Sequence, residues 1–330
     1  MRFILGRVLT AVITVFLVSI LSFVFFSVIR GDPASLLAGT DASAQQMETL
    51  REDMGLNRNV FLRYFDWLIN FLRGNPGVSL RYRTEAVKDM ILQRLPVTIT
   101  LALFSLTLIL LISIPVSLLT VKREGGVVDR IVNIFTAAGI SAPGFFLGLL
   151  FIFIFGLGFK LFLPGQYVNY NENFLEFSGY LFFPALAIAI PNSAVLIKFL
   201  RSSLFKELKS DYVRTARSKG AGSLYILRRH VFKNAAIPAI TVFGMIITEV
   251  FSGSIIIEQV FTIPGIGMLF IAAISSRDYP LIQALMVYIA FIVVLAHTLS
   301  DIAIILIDPR IKQFPAKNTS PHKARNEAEQ

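Results

Sequence analysis

The sequence predicts an all-α, polytopic membrane protein with six transmembrane helices, and three observations predict it. Of the 330 residues, 55% are hydrophobic and only 16% are charged. The apolar residues fall in long runs, and about 20 of them at 1.5 Å each cross a hydrocarbon core of about 30 Å. Backbone groups in lipid must pair within their own segment, which makes such runs helices. The chain has no cysteine, which excludes disulfides, thiol nucleophiles and cysteine-based metal sites. The net charge of +10 reads as loop charge that sets topology, with no nucleic acid as partner.

The first run, 8–29, is uncharged and longer than the roughly 7–15 apolar residues of a signal peptide, and no small-residue cleavage pattern follows it. It reads as a retained span. A long polar loop covers 30–95 and contains "MGLNRNVFLRYFDWLINFLRG", an amphipathic helical pattern expected to lie at the outer surface. The second span is 97–121. The third, 131–162, is too long for one straight crossing, and Pro143-Gly144 breaks it into an interfacial or tilted first half and a spanning second half. Spans four to six are 181–197, 235–257 and 281–307. The polar residues 316–330 read as a disordered tail. The organisation is thus 1–95, a first span and long external loop; 96–315, a five-helix core with a basic loop at 199–234; and the tail.

Basic residues in short loops orient the spans. Residues 198–234 hold ten Lys and Arg against only Glu207 and Asp211, and Arg2, Arg7 and the segment "DPRIKQFPAK" add to the same side. Both termini and the basic loop are therefore expected in the cytoplasm. Within that loop, Ser210 or Asp211 suits a helix cap, Arg214 to Lys219 continue the helix, Gly220 and Gly222 permit a sharp turn, and Ser223 suits the cap of a second helix. Leu224, Ile226, Leu227 and Val231 give that helix apolar surface, and Pro238 falls in the first turn of span five. Topology alone needs neither a double-glycine turn nor these apolar residues, so the loop reads as a docking element.

This loop resembles the cytoplasmic loop of bacterial ABC importer permeases. Arg214-Thr215-Ala216 and Gly220 stand where those permeases carry E-A-A-x-x-x-G, and "YVRTARSKG", Arg229-His230, Asn234-Ala235 and Ile237-Pro238 are similar to the dipeptide/oligopeptide/nickel branch. "GDPA", "RLP" at 94–96, "SAPGFFLG" at 141–148, "EQVFTIPGIGMLF" at 258–270, "RDYPLIQ" at 277–283 and "IDPRI" at 307–311 extend the resemblance over most of the chain, as does the L-R-x-x-x-G-L pattern at 50–56. The resemblance implies a type I importer permease architecture, MetI-like. It further implies that the chain forms half of a path for small peptides in a bacterial plasma membrane. Nickel or a nickel chelate is the alternative cargo. The implied partners are a second, similar permease, two ABC ATPase domains that the loop couples to the spans, an extracytoplasmic solute-binding protein and membrane lipid. The region of Pro264, Gly265 and Gly267 would help form the external gate.

No G-x-x-x-x-G-K-[ST], H-E-x-x-H or G-x-S-x-G occurs, so the sequence suggests no catalytic residue, metal site or cofactor of its own. A membrane-embedded hydrolase therefore lacks a nucleophile–base pair. Ionisable residues inside spans are costly and each needs a reason. Glu249 in span five either lines a path or is satisfied by a neighbour. His297 and Asp301, four residues apart on span six, can pair on one face. These three residues carry the rival reading, an ion-coupled secondary transporter.

Overall fold

The computed structural model describes residues 2–28, 43–53, 57–82, 85–121, 125–169 and 172–307. The motif "GDPA", most of "IDPRI" and the tail 316–330 lie outside them. The described residues are helical almost throughout, with an isolated antiparallel bridge between Val78 and Ala86. Five helices are long and apolar enough to cross a membrane, and a bent pair makes the sixth span.

Helix α1 (Arg2–Val28) runs antiparallel to α12 (Tyr279–Ile307). Arg7 meets Asp301, Ser22 meets Met286 and Phe26 meets Tyr279, in that order. After α2 (Ala44–Asp53), α3 (Val60–Leu72) starts at Asn59, whose side chain accepts the Phe61 N–H at 2.9 Å. The Tyr64 hydroxyl meets Ser19 Oγ at 2.8 Å, and Phe71 packs 5.3 Å from Tyr288. Ser19 and Tyr288 each lie nine residues inside the ends of their helices, about 13 Å. The amphipathic helix therefore rests on the flanks of α1 and α12. Its opposite side, with Phe61, Phe65 and Leu72, is apolar too, which suits lipid contact.

Helix α4 (Val87–Val121) begins ten residues before the apolar run. Hydropathy stops at the charges of "VKDMILQR", but Val87, Met90 and Ile91 share a face and are buried against α11 (Ile266–Ser276) and α12. The third span breaks as expected. Ala142, before Pro143, is held extended, and α5 (Val127–Ser141) meets α6 (Gly144–Phe151) and its π-helical continuation Ile152–Gly158 at 100°. The two halves nevertheless touch α7 (Phe174–Leu208) in steady order. Asp129 pairs with Arg201, a Cβ on Gly139 would meet Ala194, Gly144 abuts Ala187, and Phe155 stacks on Phe183. Together they make one crossing.

Helix α7 extends beyond its apolar stretch at both ends. Asn173 caps it through the N–H groups of Leu175 and Glu176, and Leu200 and Leu204 continue its buried face. Helix α7 is the most enclosed of the spans, and helix α10 (Phe232–Phe261) touches α4, α6, α7, α11 and α12. One apolar core joins α4, α7 and α10; a second joins α4, α11 and α12.

Candidate functional site

The basic loop folds as α8 (Asp211–Ser218), a turn, and α9 (Ser223–Ile226), which runs through the π-helical turn Leu227–Val231 into α10. Gly220 has φ +81°, a left-handed conformation that glycine adopts without penalty. A Cβ there would meet nothing within 4 Å, so glycine is required for its backbone and not for space. Two expectations need correction. Gly222, not Ser223, stands at the cap position of α9, and Pro238 lies inside α10, beyond the first turn, because the helix is continuous from Ser223. Ser210 does precede α8, but its hydroxyl bonds back to the Glu207 carbonyl and caps nothing.

The loop divides into two faces. Val213, Ile226, Leu227 and Val231 are buried in the main core. Tyr212 donates to Glu207 at 2.7 Å; burial, and then this bond, push its phenol above the ordinary value and keep it neutral. The other face exposes Arg214 and Thr215, with Ala216 half-buried, then Leu224, Tyr225, Arg228 and Arg229 around a shallow cavity of about 400 Å³. Of the four apolar residues read on the second helix, three are thus consumed by the protein's own core. Leu224 and Tyr225 remain as an apolar centre within a basic rim.

At the opposite end of α10 the chain turns through Thr262 to Gly265 into α11. Glu258 organises this turn. It is fully buried, its Oε1 accepts from Thr98 Oγ1 at 2.6 Å, and its Oε2 accepts the Gly267 N–H at 2.7 Å. The Met268 N–H also donates to it. Thr98 in turn accepts the Ile266 N–H at 2.9 Å. A carboxylate at a helix N-terminus is favoured by the unpaired N–H groups there. Gly265 and Gly267 are then glycines by necessity: a Cβ on Gly265 would fall within the Glu258 carboxyl, and one on Gly267 would lie 2.5 Å from the Ile255 Cα. Arg94 donates to the Pro264 carbonyl at 3.3 Å, and Tyr180 to that of Phe261 at 2.7 Å. The separate motifs "RLP" and "EQVFTIPGIG" therefore meet in one structure. Beyond α11, buried Asp278 accepts from the Ser79 hydroxyl and the Leu80 N–H, joining the loop after α3 to the start of α12.

Unlike Pro264, Gly265 and Gly267, Glu258 carries no residue-type signal in the sequence. Its signal is position, an acid in the last turn of an apolar helix just before P-G-I-G. Asp129 and Arg201 likewise carry no local sequence signal. They pair at 2.7 Å between α5 and α7, far apart in sequence and so invisible to local patterns. His297 and Asp301 do share a face, 3.8 Å apart, but Arg7 of α1 stands closer to Asp301, at 3.1 Å, and Thr248 lies 3.4 Å from His297. The pair thus joins three helices. Glu249 is exposed and makes no ion pair or hydrogen bond among the described residues.

The described residues thus form a multi-pass helical membrane protein with a two-faced basic loop at one end and an anchored turn at the other. The chain belongs to the family described as "Binding-protein-dependent transport system inner membrane component", which matches residues 113–313, and that family's N-terminal part matches 1–102. It is thus an ABC importer permease by family. It is 35% identical to "Probable peptide ABC transporter permease protein y4tP" of Sinorhizobium fredii (strain NBRC 101917 / NGR234), over 94% of this chain and 99% of that one. It is also 35% identical to "Oligopeptide transport system permease protein AppB" of Bacillus subtilis (strain 168), with the same coverage. Among solved structures, the MetNI methionine ABC transporter in an inward-facing form resembles it with a TM-score of 0.51 at 16% identity, over 66% of this chain and 96% of that chain. That likeness is one of fold and agrees with the MetI-like architecture.

Proposed function

We propose that this chain is one of two permease subunits in an ATP-driven importer and forms half of the path for small peptides that a solute-binding protein delivers. The observation that carries the proposal is the two-faced loop. Its inner face is locked into the spans through Val213, Ile226 and Val231, while Leu224, Tyr225, Arg228 and Arg229 stand outward. A displacement imposed on that outer face is passed to α10 through an unbroken helix, and α10 reaches the Glu258 turn at the other end. The loop is the ATPase-coupling element, with Arg214, Thr215, Ala216, Gly220, Gly222 and Pro238 in or beside it, and it lies in the cytoplasm with both termini. Pro264, Gly265 and Gly267 belong to the external gate of a bacterial plasma-membrane protein. The relatives named as peptide permeases support the cargo.

The test is to tag the chain, solubilise native membranes in mild detergent and identify what co-purifies by mass spectrometry. A second six-span permease and P-loop ATPases are expected. A chain that runs alone, even after chemical cross-linking, and transports by itself under an ion gradient would replace this account with the secondary-transporter one.

A further inference from the structure

Helix α10 has one open side. Along α10, beyond its first two turns, the exposed residues are spaced by three or four and form a single seam that includes Thr241, Met245, Glu249, Ser252, Ile256 and Gln259. The other residues of this stretch are buried or half-buried. The seam is mixed and largely polar. By contrast, the open face of α1, with Leu9, Val12, Ile13, Phe16 and Leu17, is apolar as lipid contact requires. Hydroxyls, an amide and a carboxylate on one seam do not suit hydrocarbon. Glu249 lies about 18 Å from the Phe261 end at 1.5 Å per residue, which puts it deep within the membrane. A charge at such depth on a lipid-facing side costs about 2.5–3.5 kcal/mol on insertion scales, and no described residue offsets it.

We infer that Glu249 is a charge-selecting residue on the wall of the translocation path, where its carboxylate contacts cationic groups of the passing cargo. The inference rests on the peptide-permease reading above. A wetted path keeps Glu249 solvated, which removes the insertion cost without a fixed partner. The seam exposes no basic residue deeper than Lys233, so the wall is acidic at this level. Basic side chains and α-ammonium groups of peptides are attracted there, and acidic side chains are repelled. Ser252, one turn along the same seam, adds a hydroxyl for the peptide backbone. The contact is transient and solvated, so its effect is that of an exposed ion pair, a change in preference of about three- to fivefold.

The experiment uses the assembled importer in vesicles, with Ala-Lys-Ala, Ala-Gln-Ala and Ala-Glu-Ala supplied at concentrations that saturate the solute-binding protein, so that delivery does not discriminate. Glu249→Gln is expected to lower the ratio of Lys-peptide to Glu-peptide uptake about three- to fivefold, and Glu249→Asp to preserve it. An unchanged ratio in Glu249→Gln overturns the inference. Equal loss of all three peptides, or failure of the variant to co-purify with the second permease, also overturns it and makes the carboxylate a subunit-contact group. If wild-type vesicles carry none of the three peptides, the peptide reading itself falls and takes the inference with it.

Discussion

Glu258 shows how much one residue decides at the level of single side chains. It is a buried carboxyl group with no ion pair among the described residues, held by the Thr98 hydroxyl and the N–H groups that open α11. Replacing it by Ala leaves those donors unpaired in apolar surroundings, at a cost of about 1–3 kcal/mol for each buried group left unsatisfied. Glu258→Ala is therefore expected to lower the thermal midpoint of the detergent-solubilised protein clearly, and Glu258→Gln, which keeps an acceptor oxygen, to lower it less. Equal midpoints for the wild type and Glu258→Ala would remove the anchoring role. The same carboxyl accounts for Gly265 and Gly267, whose glycine identity is visible in the sequence but whose reason is not. The reason is the close approach of Ile255 and the Glu258 carboxyl, which only the folded chain brings about.

Among the elements, the apolar runs indicate how many spans there are but not where the helices end. Helix α4 begins at Val87 because buried Val87, Met90 and Ile91 extend its packed face through charged residues, which hydropathy discounts. The break at Pro143 and the turn at Gly220 were legible because proline and glycine act on the local backbone. The continuity of α9 with α10 was not, since Pro238 suggested a boundary that packing overrides. The loop makes its own prediction. Gly220→Val forces a branched side chain into the left-handed region, whereas Asn tolerates it. Gly220→Val should depress peptide-stimulated ATPase activity of the assembled importer while membrane insertion is retained, and Gly220→Asn should be milder. Normal stimulation in Gly220→Val would contradict a coupling role for this turn.

Across the whole molecule, a central helix links two ends built differently. At one end α10 continues into a loop whose inner face is core and whose outer face is basic with an apolar centre. At the other, α10 closes on the Glu258 turn, and α11 and α12 follow. Helices α1 and α3 sit outside this core, joined through Tyr64 and Ser19, with Arg7 meeting Asp301 at the basic end. Composition reveals the membrane class, and the motifs reveal the family. Pairings such as Asp129–Arg201 and Asp278–Ser79 are set by tertiary packing and needed the fold. The most direct test of the central claim is a photo-reactive amino acid at Tyr225, cross-linked in native membranes, with Val231 as the buried control. The account predicts an adduct between position 225 and a P-loop ATPase, and none from position 231. No ATPase adduct from position 225, in membranes where the importer is active, would contradict it.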